Sequence, residues 1–215
     1  MARERWMTAT AQTLPAVGVP DFDDGGPTAT ATPPVSNALL AVVLFMGAET
    51  MLFIGLIGAF VLYKTASVAW PPPGQPRLPI AVTFANTAVL LASGVMMQRA
   101  NSSLREGFLG RMRIELAAAW VMGVVFLAVQ GFEWTQLIRH GLTLASSNYA
   151  ATFYTLIGLH ALHVCGAVAW LAFVLVGALR GRYSQERYTA VQACGAYWYF
   201  VCALWVGLFG AVYLS

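Results

Sequence analysis

Apolar residues fill five long stretches of this chain, at about 37–63, 80–98, 114–138, 151–179 and 190–214. Each reaches, or nearly reaches, the ~20 residues that a helix needs to cross hydrocarbon. None alternates apolar and polar positions as a barrel strand would. Inside lipid there is no water to satisfy backbone N–H and C=O groups, so each stretch must bond within itself and form a helix. The pattern therefore predicts an all-α fold, a polytopic membrane bundle of five transmembrane helices over 37–215. Residues 1–36 have no apolar period; they are rich in Pro, Thr, Ala and Gly and carry the acidic patch Asp21–Asp24. They are expected to form an irregular N-terminal tail. The opening "MARERW" leads into no apolar run, so a cleaved signal peptide is not expected.

The connections are short. "WPPPGQPRLP" separates the first two stretches with prolines that block helix continuation, "RANSSLREGFLGRMR" the second and third, and "RGRYSQER" the last two. Lys and Arg divide unevenly between the two sides. Arg3, Arg5, Arg99, Arg105, Arg111, Arg113, Arg180, Arg182 and Arg187 fall on one side, and Lys64, Arg77 and Arg139 on the other. The arginine-rich side is expected to be cytoplasmic, which gives an N-in, C-out topology.

Composition agrees with this reading. Hydrophobic residues make up 59% of the 215 and charged ones 10%, with a mean hydropathy of +0.67. A soluble domain of this size could not bury that much apolar surface. The net charge of +3 comes from loop residues and reports topology, not nucleic-acid binding. Cys165, Cys194 and Cys202 all lie in apolar runs. Three cysteines without a CxxC or CxxCH offer no disulfide framework, zinc site or covalent haem attachment. They read as small packing residues.

The candidate chemistry lies in polar residues set in oil. Glu49 sits about a third of the way along the first stretch, near Gly55 and Gly58. A mid-membrane carboxylate costs at least ~2.5 kcal/mol if ionised, so it is either functional or a protonated, hydrogen-bonded structural group. The neighbouring glycines permit close helix approach. Gln130 and Glu133 share a helix face and suggest interhelical hydrogen bonding, with interfacial exposure of Glu133 as the alternative. Asn86, Thr87, Ser93 and Gly94 form a small polar stripe suited to helix packing. His160 and His163 stand three apart on one face. Bis-imidazole haem ligation calls for histidines on two helices, and a zinc or copper site needs further ligands. No metal site and no catalytic residue is therefore assigned, and the two histidines are expected to bond other helices, lipid head groups or a partner subunit. In the last stretch Trp198, Cys202, Trp205 and Phe209 form an apolar seam for another helix or subunit. Trp198 and Tyr213 also suit an interfacial aromatic belt.

Six collinear motifs carry a resemblance. "GAETMLFIGLIGAF", "WPPPG", "NTAVLLASGV", "QGFEW", "ATFYTLIGLHALHVCG" and "YWYFVCALW" resemble, in order, the signatures of subunit III of the haem–copper oxidases, from about Phe45 to Leu214. The resemblance implies a non-redox accessory subunit of a respiratory haem–copper oxidase, packed against subunit I and near subunit II. Haem and copper would then sit in the partner subunits, and this chain would hold phospholipid in a cleft. Stabilisation of subunit I through turnover and support for proton uptake are further implied roles. The location implied is the bacterial inner (plasma) membrane.

Glu49 matches the family's buried, carbodiimide-reactive glutamate. Glu133, His160 and His163 match its other polar membrane residues. Family members commonly have seven helices, and the five here match the last five, as in bacterial five-helix forms. Two positions depart from the pattern: Tyr199 stands where the family has His, and Cys202 where it has Asp. With Trp198 and Trp205 they are expected to pack against a neighbouring subunit. Three other readings stay open at this stage: a haem-bearing membrane electron carrier using His160 or His163, a subunit accompanying a nitric-oxide reductase, and a transporter or proton channel.

Overall fold

The computed structural model describes residues 37–70, 80–145 and 147–214. The tail at 1–36 and the proline-rich connection at 71–79, with Arg77, lie outside the described residues. Five helices follow one another: α1 (Asn37–Ala66), α2 (Ile80–Arg105), α3 (Leu109–Arg139), α4 (Asn148–Leu179) and α5 (Thr189–Tyr213). All five are long and apolar enough to cross a membrane. The chain is thus the all-α, five-helix membrane protein that its hydropathy predicts. The greatest departure in extent is α2, which continues through the polar segment ending at Arg105.

Three of the helices stop in the same way. Gly107, Gly141 and Gly181 each have positive φ, at 84°, 91° and 71°. In each case the next residue's N–H reaches back six residues, counted inclusively: Phe108 to Ser103 O, Leu142 to Leu137 O and Arg182 to Gly177 O. This is the Schellman closure, in which glycine takes the left-handed position at no steric cost. The α2–α3 connection is only Glu106, Gly107 and Phe108, so these two helices pack as a tight hairpin. At Gly107 a side chain would also collide with Gln185, whose Nε2 donates to Arg105 O at 2.9 Å. Ser147 caps α4, its Oγ accepting from Ala150 N–H at 3.1 Å.

Helices α2, α3, α4 and α5 close a ring of neighbours: α2 on α3, α3 on α4, α4 on α5 and α5 on α2. Among the described residues α1 contacts only α4 and α5. The ring's centre is aromatic. Trp198 and Trp205 have 0% exposure, and Phe126 meets Trp205 edge-on with centroids 5.1 Å apart. Gly123 makes room for Trp198, since a Cβ there would lie 2.5 Å from the indole.

Several expectations are corrected here. Trp198 and Trp205 present no surface to a second subunit, because they are enclosed within their own chain. Trp198 and Tyr213 are buried, not part of an interfacial belt; Tyr213 stacks on Phe209 with centroids 5.4 Å apart. Among the described residues Gly55 and Gly58 approach no helix of this chain, since nothing lies within 4 Å of a Cβ built on either. Cys194 and Cys202 are buried packing residues, but Cys165 is exposed on the surface of α4.

Candidate functional site

A carboxylic acid embedded in hydrocarbon needs a partner that lets the pair stay neutral. Glu49 on α1 has one. Its Oε2 lies 2.8 Å from Nε2 of His163 on α4, and the two side chains are only 16% and 11% exposed. The other ring nitrogen, Nδ1, lies 2.7 Å from the Leu159 carbonyl. A carbonyl can only accept, so Nδ1 carries the hydrogen. One proton then remains between Glu49 and Nε2. Placed on the carboxyl it gives a neutral acid beside a neutral imidazole, and placed on Nε2 it gives carboxylate and imidazolium. Both arrangements have zero net charge, as a low-dielectric site favours. The proton can pass between the two along a single short hydrogen bond.

Phe53 and His160 surround this pair. Phe53, one turn beyond Glu49 on α1, meets His163 edge-on at 5.4 Å and His160 at 6.4 Å. His160 is 1% exposed and lies parallel to Trp205, with centroids 5.2 Å apart. Neither of its ring nitrogens has a hydrogen-bond partner among the described residues. The two histidines thus face different surroundings: His163 bonds the outer helix, and His160 stacks into the ring.

A second polar layer joins the helices of the ring. Thr83 on α2 donates to Glu133 on α3 at 3.1 Å, and Gln130 Nε2 lies 3.4 Å from the same oxygen. Asn86 Nδ2 donates to Phe126 O at 3.1 Å. From α5, Trp205 Nε1 donates to Thr87 at 2.9 Å and Trp198 Nε1 to Ser93 at 3.1 Å. The polar stripe of α2 therefore bonds α3 with one edge and α5 with the other. Glu133 is buried, so the interfacial alternative does not describe it. Cys202 Sγ lies 3.8 Å from Leu90 O. Tyr199 is half-exposed and accepts from Asn101 Nδ2 at 3.3 Å.

The sequence reading missed a third cluster at the α2–α3 turn. Glu115 is buried and accepts from Ser103 Oγ at 2.6 Å and from Arg111 Nε at 3.1 Å, with Arg99 Nε at 3.5 Å. The i, i+4 spacing of Arg111 and Glu115 signals part of it. Ser103 and Arg99 join it only because the three-residue turn folds α2 back along α3. Among the described residues no three His, Cys, Asp or Glu side chains gather closely enough to hold a metal.

Comparison with known proteins adds an independent line. The family model described as cytochrome c oxidase subunit III matches residues 25–215. A Synechocystis protein named cytochrome c oxidase subunit 3 is 34% identical over 177 residues, covering 82% of this chain and 75% of its own length. A Nocardia farcinica protein named probable cytochrome c oxidase subunit 3 is 32% identical over 176 residues, covering 81% and 86%. The subunit 3 of Cyprinus carpio is 33% identical over 189 residues, covering 85% and 71%.

Proposed function

Because this chain belongs to the cytochrome c oxidase subunit III family and is the accessory subunit of a respiratory haem–copper oxidase, we propose that it acts by seating α1 and a lipid layer against the subunits that carry the haem and copper. A multi-subunit membrane complex follows from the family; subunits I and II are the partners proposed within it. The chain is a multi-pass membrane protein, and the bacterial inner membrane with N-in, C-out topology is the proposed placement. That orientation is supported by the seven arginines of 99–113 and 180–187 at one end of the bundle.

The observation that carries this reading is the sparse burial of α1. Only Phe53 and Phe60 of its 30 residues are buried, and among the described residues the Glu49–His163 pair is its one contact between ionisable side chains. Leu44, Met51, Ile54 and Leu62 face outward, and among the described residues no neighbour lies beside Gly47, Gly55 or Gly58. Such a helix is suited to neighbours supplied by lipid or by another chain. Beside it runs an apolar groove of about 370 Å³, lined by Ala41, Val42, Phe45, Gly166, Trp170 and Tyr197. Its size and lining suit a phospholipid acyl chain.

Glu49 and His163 would serve this role by docking α1 as a neutral pair. A shared proton there would also offer a relay point at the edge of the complex. A haem-bearing carrier is the less supported reading, since Nε2 of His163 is engaged by Glu49 and His160 is enclosed by Phe53 and Trp205. Mild-detergent pull-down followed by partner identification and an optical spectrum tests the proposal. The expected result is co-purification with a haem- and copper-bearing subunit, the haem absorbance leaving with that subunit. A Soret band retained by this chain alone would overturn it. In the intact complex, Glu49→Gln is expected to leave initial oxygen reduction intact and to shorten working life. Equal decay of variant and parent during turnover would remove Glu49 from that role.

A further inference from the structure

The end of the bundle where α1 and α5 begin and α2 finishes holds a polar recess of about 360 Å³. Its wall carries Gln98, Asn101, Ser102 and Arg105 from α2, and Gln192 and Tyr199 from α5. It shares no residue with the apolar groove, whose walls come from α1, α4 and α5. From these features we infer that the recess is a binding site for a phosphate ester at the membrane surface.

Four observations point to an anion. Arg105 is the cation in the wall, and among the described residues no carboxylate lines the recess. A guanidinium matches phosphate oxygens with two parallel N–H donors. The remaining polar groups can all donate. Asn101 donates to the Tyr199 hydroxyl oxygen at 3.3 Å, which leaves the phenolic proton with no acceptor among the described residues and available to the recess. The surroundings are also positive. Seven arginines, at 99, 105, 111, 113, 180, 182 and 187, gather at this end against Glu106, Glu115 and Glu186. Finally, the backbone that carries Arg105 is fixed at the helix end, since Gln185 bonds the Arg105 carbonyl at 2.9 Å across the left-handed Gly107.

One side of the recess is apolar, formed by Leu39 of α1 and Ala196 of α5. A mixed wall at the level where helices leave hydrocarbon suits the glycerophosphate of an anionic phospholipid, with the first carbons of its chain against Leu39. A free organic phosphate would satisfy the same donors, and the test separates the two sources.

The full-length chain is reconstituted in nanodiscs containing equal phosphatidylglycerol and phosphatidylcholine, and the lipids it retains are counted by native mass spectrometry. No partner subunit is needed, so the outcome does not depend on the oxidase assembly. The parent should retain phosphatidylglycerol in preference to phosphatidylcholine. Arg105→Gln should lower that retention about fivefold, as loss of a bidentate ion pair, and Tyr199→Phe about twofold, as loss of a single O–H donor to the phosphate. Arg99→Gln should match the parent, because that guanidinium faces Glu115. Loss of the phosphatidylglycerol adduct on adding glycerol phosphate would assign the site to a soluble phosphate, and its persistence to the lipid. Equal retention by Arg105→Gln and parent, or equal retention of the two lipids by the parent, would overturn the inference.

Discussion

α1 and α2 are both long apolar helices, yet the bundle holds them by different means. Of the most apolar stretch of α1, 6% is buried, against 33% for α2 and 50% for α5. α2 bonds α3 through Thr83 and Asn86 and α5 through Thr87 and Ser93. α1 is fastened by Phe53 and Phe60, by partly buried residues such as Val42, Met46, Leu56 and Ile57, and by one polar pair, Glu49 with His163. Lipid is as apolar as leucine, so apolar surface alone gives little force between helices. Close fit and hydrogen bonds decide which helices stay together. The difference teaches that hydrogen bonds tie α2 to its neighbours in the ring, while α1 rests on α4 and α5 through apolar contacts and, among the described residues, the Glu49–His163 pair.

The most forceful way to break this contrast is to overfill the ring. A leucine at Gly123 would drive into Trp198, which already stands 2.5 Å from a Cβ at that site. Gly123→Leu is expected to cost about 3 kcal/mol, the upper end of ordinary overpacking. Unfolding in mixed detergent, followed by tryptophan fluorescence, checks it; a stability equal to the parent's would mean that the ring is loosely packed.

Removing the fastening of α1 should come next. His163→Leu leaves Glu49 alone in oil and is expected to cost about 2.5 kcal/mol of α1 docking, while the ring stays intact. Replacing both residues by leucine should recover most of that loss, because no orphan carboxyl then remains. Spin labels at Leu62 and Leu162 would report the separation of α1 from α4. A distance distribution as narrow as the parent's in His163→Leu would show that the pair is not what holds α1.

Smaller effects sharpen the description of the ring. Thr87→Val removes the acceptor for Trp205 Nε1 at nearly constant volume. The expected cost is about 0.6 kcal/mol, the average for hydrogen bonds between membrane helices. Arg111→Gln, at the exposed rim of the Glu115 cluster, should cost under about 0.5 kcal/mol, since Arg99 and Ser103 still face the carboxylate. These two are read from the same detergent unfolding curves.

The last test is confined to alkaline pH. In the loop after α4, burial raises the Tyr183 hydroxyl above its ordinary value of 10.0; Cys194 adds to the rise and Arg182 opposes it. Because the folded pKa lies above the unfolded one, the stabilisation is complete below pH 10 and fades as pH rises through the folded value. Tyr183→Phe should therefore flatten stability against pH above about 10 and leave the neutral range unchanged.

Much of this was legible in the chain. Long apolar runs fix helices in lipid regardless of what lies beside them, so number and type of elements followed from hydropathy. The polar stripe from Asn86 to Ser93 marks a packing face by its small side chains. Other features were not legible. Trp198 and Tyr213 have the amphipathic character of belt residues, and only their enclosure by α2, α3 and α4 places them inside. Gly55 and Gly58 are small residues that permit close helix approach, but among the described residues they meet no helix of this chain. Glu115 carries no signal beyond its i, i+4 spacing from Arg111, and only the α2–α3 turn brings Ser103 and Arg99 to it.

By itself, then, the sequence determined that this is a five-helix membrane protein of the oxidase subunit III family, because solvation of the backbone and recurring motifs are properties of contiguous residues. Which polar groups meet was decided by tertiary structure alone. Glu49 and His163 stand 114 positions apart, and no local pattern records that distance. They come together only where α1 lies across α4, which sets Oε2 of Glu49 2.8 Å from Nε2 of His163.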